Sequence, residues 1–116
     1  MTSRQLNQLL VTNVPNVRQQ YIEEVCWQEG DDTGSHVVFG DVLTPYLVIC
    51  IAQNNQKEIA AIFDFLEVIL LMNDDYASEV ITFSVFESIT YLLKNRPDLT
   101  ALLGKQCKKA LDDVMQ

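Results

Sequence analysis

The chain has 116 residues, 48% hydrophobic and 21% charged, with 4 glycines and 3 prolines; this is the length of one domain and the composition of one packed core, which excludes disordered, collagen-like and low-complexity classes. The longest apolar runs, residues 46–52 and 68–72, fall well short of the ~18 residues of a membrane span, and the start Met1-Thr2-Ser3-Arg4-Gln5 has no secretory apolar block, so a single cytoplasmic domain over 1–116, with no membrane partner, is expected. Eight bases against sixteen acids give a net charge of −8, a field that repels nucleic acid.

Leu6, Leu9, Leu10 and Val14 follow a helical period, predicting a first helix that ends before Pro15, with Asn13 capping the next element. From Pro15, a stripe of Val17, Tyr21, Ile22, Val25 and Cys26 predicts a second helix stopped by Gly30. Asp31-Asp32-Thr33-Gly34-Ser35 reads as a loop. Val37 to Phe39 and Tyr46 to Ile51 are rich in β-branched residues, but Asp41 and Thr44 ahead of Pro45 form a helix-start signal, so the apolar run is read as a helix ending near Gln53-Asn54-Asn55.

Asn55 with Glu58 three residues on forms a capping-box pattern that opens a helix from 56 to about 72. After the turn Asn73-Asp74-Asp75, a helix is expected over 76–94, with Val80, Phe83, Phe86 and Leu93 on one side and Ile81, Val85, Ile89 and Leu92 on the other. These two helices are expected to be the central antiparallel pair, with Phe63, Leu66, Val80, Phe83 and Phe86 buried. Pro97 opens a short turn of helix that Gly104 closes, and 105–115 carries Cys107, Ala110, Leu111 and Val114 inward. The expected fold is therefore all-α, with about six or seven helices. Leu66-Glu67-Val68-Ile69 and Phe86-Glu87-Ser88-Ile89 echo each other twenty positions apart, which suggests antiparallel helix pairs in a HEAT-like, α-solenoid-like stack.

No pattern for chemistry emerges. His36 is the single histidine, which excludes a paired-histidine zinc site and leaves a capping or loop-packing role. The Asp31–Ser35 loop lacks the ligand spacing of a calcium site. Gly30, Gly34 and Gly40 match neither phosphate-loop pattern. Cys26, Cys50 and Cys107 form no C-x-x-C pair and read as reduced, mostly buried thiols. A non-enzymatic protein without metal or cofactor is expected. The acidity is the outlier: residues 19–93 hold thirteen acids and one base, Lys57, a net of −12. Self-repulsion of that size points to a basic partner.

Phe39-Gly40-Asp41, Phe65-Leu66-Glu67, Phe86-Glu87 and Leu102-Leu103-Gly104-Lys105 with Ala110-Leu111 resemble a family of small all-helical bacterial proteins, over roughly residues 16–115. Some of its members resemble immunity proteins encoded beside polymorphic or contact-dependent growth-inhibition toxins. The resemblance implies an all-helical fold and an immunity role. Together with the acidic middle, it gives an expected function: neutralising a basic toxin domain, a nuclease with RNase favoured, by covering its active site. The expected contact residues come from charge alone: Glu23, Glu24, Glu29, Asp31, Asp32, Asp74, Asp75 and Glu79 along one rim, with Tyr76 and Trp27 as aromatic anchors, Trp27 being equally readable as core. The alternative is a helical-repeat adaptor or scaffold with an unrelated protein partner.

Overall fold

Thr2 opens the first helix, α1 (Ser3–Asn13), with a complete capping box: its hydroxyl accepts from the Gln5 N–H, and the Gln5 side chain accepts from the Thr2 N–H. In this computed structural model, which describes residues 1–115, the chain continues through a 3-10 turn (Pro15–Val17) into α2 (Arg18–Val25) and then a second 3-10 turn (Gly30–Asp32). A long helix, α3 (Ser35–Ala52), comes next. After it stand α4 (Gln56–Leu70), α5 (75–93), a single turn α6 (Pro97–Thr100) and α7 (Lys105–Val114). Seven helices and no strand are present among the described residues, and they close into a globule with a radius of gyration of 13.2 Å.

Two turns between helices use the same device. Asn54 and Asn73 adopt φ of 56° and 55°, the left-handed conformation that asparagine tolerates better than other side-chain-bearing residues. Asn55 and Asp74 then cap α4 and α5 by accepting from the N–H groups of Glu58 and Ala77. The Asn55 motif is half a capping box, because the Glu58 carboxylate turns away to accept from Tyr46 Oη and Asn16 Nδ2. It thereby ties the Pro15 turn, α3 and α4 together.

Several expectations at the helix ends are corrected. Asn13 does not cap the next element; its side chain donates back to the Leu9 carbonyl. The second helix stops at Val25 rather than Gly30, and Ile22 and Cys26 face solvent. Asp41 and Thr44 are not caps, since α3 runs straight through them. Its turn over Phe39–Leu43 is widened to π geometry, with the Thr44 N–H reaching back five residues to the Phe39 carbonyl. That wide turn lies immediately before Pro45, which has no N–H to offer the carbonyl four residues earlier and whose ring would crowd it. The proline is absorbed instead of ending the helix.

A second wide turn, Ile81–Phe86, lies within α5 and explains the one error in the expected core. Phe63, Leu66, Val80 and Phe86 are fully buried, whereas Phe83 is 55% exposed. A π turn adds about one residue, roughly 100° of rotation, to a helix of 3.6 residues per turn. The buried stripe therefore runs Ala77, Val80, Ile81, then Val85, Phe86, Ile89 and Leu93. Without the extra residue, Ser84, Ser88 and Tyr91 would turn inward. Phe83 sits at the insertion and points out.

The two wide turns face each other. A Cβ on Gly40 would lie 3.9 Å from Ser84, the Thr44 hydroxyl donates to the Ser84 carbonyl at 2.8 Å, and His36 Nδ1 lies 2.9 Å from Ser84 Oγ. Further along, the second half of α3 meets the second half of α5, so these helices run side by side and parallel. The Thr44 hydroxyl supplies a donor to a carbonyl in a stretch where the regular helix ladder is interrupted. α5 leans on α3 and α7 more than on α4, although the rings of Phe63 and Phe86 still approach to 6.4 Å.

α7 lies parallel to α4 and is held by a borrowed cap. Gly104, at its N-cap position, has no side chain to offer; the Glu67 carboxylate of α4 accepts from the N–H groups of Gln106 and Cys107 at 3.1 and 2.9 Å. A Cβ there would fall 2.5 Å from the Glu67 carboxyl group, so a side chain at this position would displace the carboxylate from its cap. Cys107, Ala110 and Leu111 are buried as expected, with Val114 half-buried. α3 is the one helix among the described residues with the length and apolarity of a membrane span. Its Phe39, Leu43 and Leu47 are fully buried in the globule, which accounts for its composition.

Candidate functional site

Four of the expected residues, Asp31, Asp32, Asp74 and Tyr76, gather around the start of α1, where they hold the fold together. Arg4 makes a two-pronged ion pair with Asp32 at 3.0 and 3.1 Å and lies 3.7 Å from Asp31. Asp31 also accepts from Tyr21 Oη at 2.6 Å, and burial, then this hydrogen bond, raises the Tyr21 phenol above its ordinary value. Asp32 is held below the usual carboxylate range by the Arg4 guanidinium. Asp74 caps α5 and pairs with the Met1 amine at 2.7 Å. Tyr76 is half-buried; its hydroxyl meets Ser3 Oγ at 2.7 Å and accepts from the Ser35 N–H at 3.1 Å.

Beneath this rim lies a polar network that the sequence reading missed. Asn7, fully buried on α1, donates to the carbonyls of Thr33 and Asp31 and accepts from Ser35 Oγ at 2.8 Å. Thr33 in turn donates to the Gly30 carbonyl and accepts from the Glu29 N–H. Every partner is satisfied, so the loop from Glu29 to Ser35 is fixed in shape. A lone asparagine within an apolar helical stripe was the available signal.

The remaining expected residues face water. Glu23, Glu29, Asp75 and Glu79 are exposed, with Glu23 accepting from Gln19 Nε2 and the half-buried Glu24 from Gln28 Nε2. Trp27 is 71% exposed, which resolves its role in favour of the surface. Of the thirteen acids in residues 19–93, only Asp31, Asp32 and Asp74 join ion pairs among the described residues. α3 and α5 contain no lysine or arginine.

The structure adds a feature that charge alone did not reveal. Glu79, Phe83, Glu87 and Tyr91 form an exposed ridge along α5, the two rings being 55% and 67% exposed. Asp41 is exposed on the adjoining α3, one position from the Gly40 contact with Ser84. On the opposite flank, a small groove is lined by Ser78 and Thr82 of α5 and by Lys109 and Asp113 of α7, where base and acid offset each other.

Other features have less chemistry. His36 and Ser84 form a hydrogen-bonded pair, and the His36 ring stands edge-on to Tyr76 at 5.8 Å; no carboxylate orients the imidazole among the described residues, so the pair lacks the third member of a triad. No group of three His, Cys, Asp or Glu is placed to hold a metal among the described residues. Cys50 and Cys107 are buried and Cys26 is exposed, all three free. Burial, and then the nearby Glu67 carboxylate, push the Cys107 thiol up, the opposite of a reactive cysteine. A groove of about 700 Å³ runs between α1 and the end of α4 past Leu9 and Met72.

The chain is an all-helical domain with an acidic, base-poor flank and exposed aromatic rings. The chain belongs to the DUF7674 family, a domain of unknown function, whose model matches residues 7–116. No curated protein matches it, and no solved structure does.

Proposed function

We propose that this protein is an immunity protein: it binds a cognate bacterial toxin domain, a basic nuclease with RNase favoured, and neutralises it by covering the active site with an acidic surface. The observation that carries this reading is the uncompensated charge of residues 19–93, where ten of thirteen acids have no ion-pair partner among the described residues. A nuclease presents Lys and Arg to phosphate, and an acidic protein surface answers the same field. Both partners would meet in the cytoplasm. The contact set is Glu23, Glu24, Glu29, Asp31, Asp32, Asp74, Asp75 and Glu79 with Tyr76 and Trp27, of which Asp31, Asp32, Asp74 and Tyr76 also hold internal contacts.

The second reading, a helical-repeat adaptor, is favoured by one observation: α3 lies parallel to α5 and α4 parallel to α7, the alternation of a HEAT-like stack. Co-expression with the product of the neighbouring gene separates the two. Rescue of growth and inhibition of the purified toxin's activity are expected for an immunity protein. A complex that forms while the toxin stays active supports the adaptor, and no complex at all overturns the immunity reading.

A further inference from the structure

The ridge on α5 owes its existence to the wide turn beneath it. Glu79 and Tyr91 are twelve residues apart, which in a regular α-helix puts them about 120° out of line. The extra residue taken up over Ile81–Phe86 removes roughly 100° of that, so Glu79, Phe83, Glu87 and Tyr91 run along one side of α5 within about 20° end to end. The same insertion holds Phe83 out at 55% exposure, an unusual state for phenylalanine and one that marks interaction surfaces when it occurs within a patch. Acid and ring alternate, and no lysine or arginine is present on α5 or on the parallel α3. Asp41 on α3 adds a further carboxylate to the same side.

We propose that this ridge is the docking surface for an arginine-bearing segment of a protein partner. Its guanidinium groups stack on the faces of Phe83 and Tyr91 while their N–H edges pair with Glu79 and Glu87. Guanidinium is the cation that this alternation fits: it is planar, stacks on rings, and offers hydrogen bonds sideways to carboxylates, whereas an ammonium does these poorly at once. The inference deepens the reading above and rests on its premise of a basic protein partner, and it extends the contact from Glu79 along α5.

The test uses the full chain, labelled with ¹⁵N, against two synthetic amphipathic peptides identical except that one carries Arg and the other Lys, and in parallel against the product of the neighbouring gene. The Arg peptide is expected to shift amides across 79–91. Phe83→Ser and Tyr91→Ser, at exposed positions that leave the core intact, are expected to weaken both complexes by roughly tenfold or more each, as truncation of a central anchor does. Glu87→Lys is expected to weaken them further, and Asp112→Asn, on the last helix, to leave them unchanged. Equal binding of the Lys peptide overturns the guanidinium assignment. Toxin neutralisation indifferent to all three ridge variants overturns the ridge and leaves the immunity reading standing. Binding of the Arg peptide at 79–91 without any neutralisation does the reverse.

Discussion

Glu67 shows how much a single side chain carries when its partner is forty residues away. Its carboxylate supplies the two hydrogen bonds that a cap residue of α7 would normally provide, and Gly104 leaves room for it. Glu67→Ala is expected to cost about 1 to 2 kcal/mol, the range of a lost helix cap, and Gly104→Ala to destabilise as well, since the new methyl displaces the same carboxyl group. Amide hydrogen exchange should show the loss concentrated in α7 for both variants; uniform protection across the chain would show that the cap is not what holds the helix. The phenylalanines make a second residue-scale test. Phe63→Ala and Phe86→Ala should each cost about 3 to 5 kcal/mol in urea unfolding, while Phe83→Ala, at an exposed position, should stay within about 0.5 kcal/mol. The sequence contained Glu67, Asn7 and Phe83 in plain view. Their roles depend on long-range partners or on a local change of helix period; Asn7 alone shows in the spacing, as a polar residue within an apolar stripe, and the other two leave no mark within the window that a periodicity argument reads.

Helices with regular geometry were legible, and those with wide turns were legible in extent but not in phase. α4 obeys the 3.6-residue period throughout, so its cap at Asn55, its buried stripe and its end near Leu70 all come from spacing. α5 begins and ends where the Asp74 cap and the Arg96-Pro97 break place it, yet its inward face shifts by one residue at the insertion. The same physics yields a prediction. Deleting Phe83 removes the surplus residue and lets α5 become a regular helix with Val85, Phe86, Ile89 and Leu93 still inward, so the variant should fold. Deleting Ser88, in the regular part, rotates the rest of the helix by about 100° and drives polar groups into the core. Circular dichroism and urea unfolding should show the first deletion tolerated and the second unfolded. Equal damage from both would mean that the wide turn is not a one-residue insertion.

For the molecule as a whole, charge governs stability at low pH and, on the proposed function, the rate of meeting a basic partner. Arg4 holds Asp32 and Arg96 holds Asp98 below the ordinary carboxylate range. Below about pH 4, where ordinary carboxylates titrate, the unfolded chain therefore binds more protons than the folded one, and stability falls as pH drops through the folded values. Asp32→Asn removes one share of that dependence, so its urea midpoint should fall less steeply with acid than the parent's. Association reads the same charges from outside. With most of the middle acids unpaired, the field reaches a basic partner across about 30 Å at 0.01 M salt but only about 8 Å at 0.15 M. Stopped-flow association should accordingly be fast at low salt and slow as salt rises, with most of the change in the on-rate. Asp31→Asn/Asp32→Asn and Asp74→Asn/Asp75→Asn lower the field and should weaken binding, but all except Asp75 also lose an internal contact, so their unfolding midpoints must be read beside their rates. Asp75→Asn and Glu79→Gln, outside those ion pairs, are the cleaner probes: each should slow association at low salt without moving the unfolding midpoint. Asp112→Asn and Asp113→Asn, in the charge-balanced last helix, should do neither. An on-rate that ignores salt and all of these changes would mean that the acidity serves solvation alone and that the partner is recognised elsewhere.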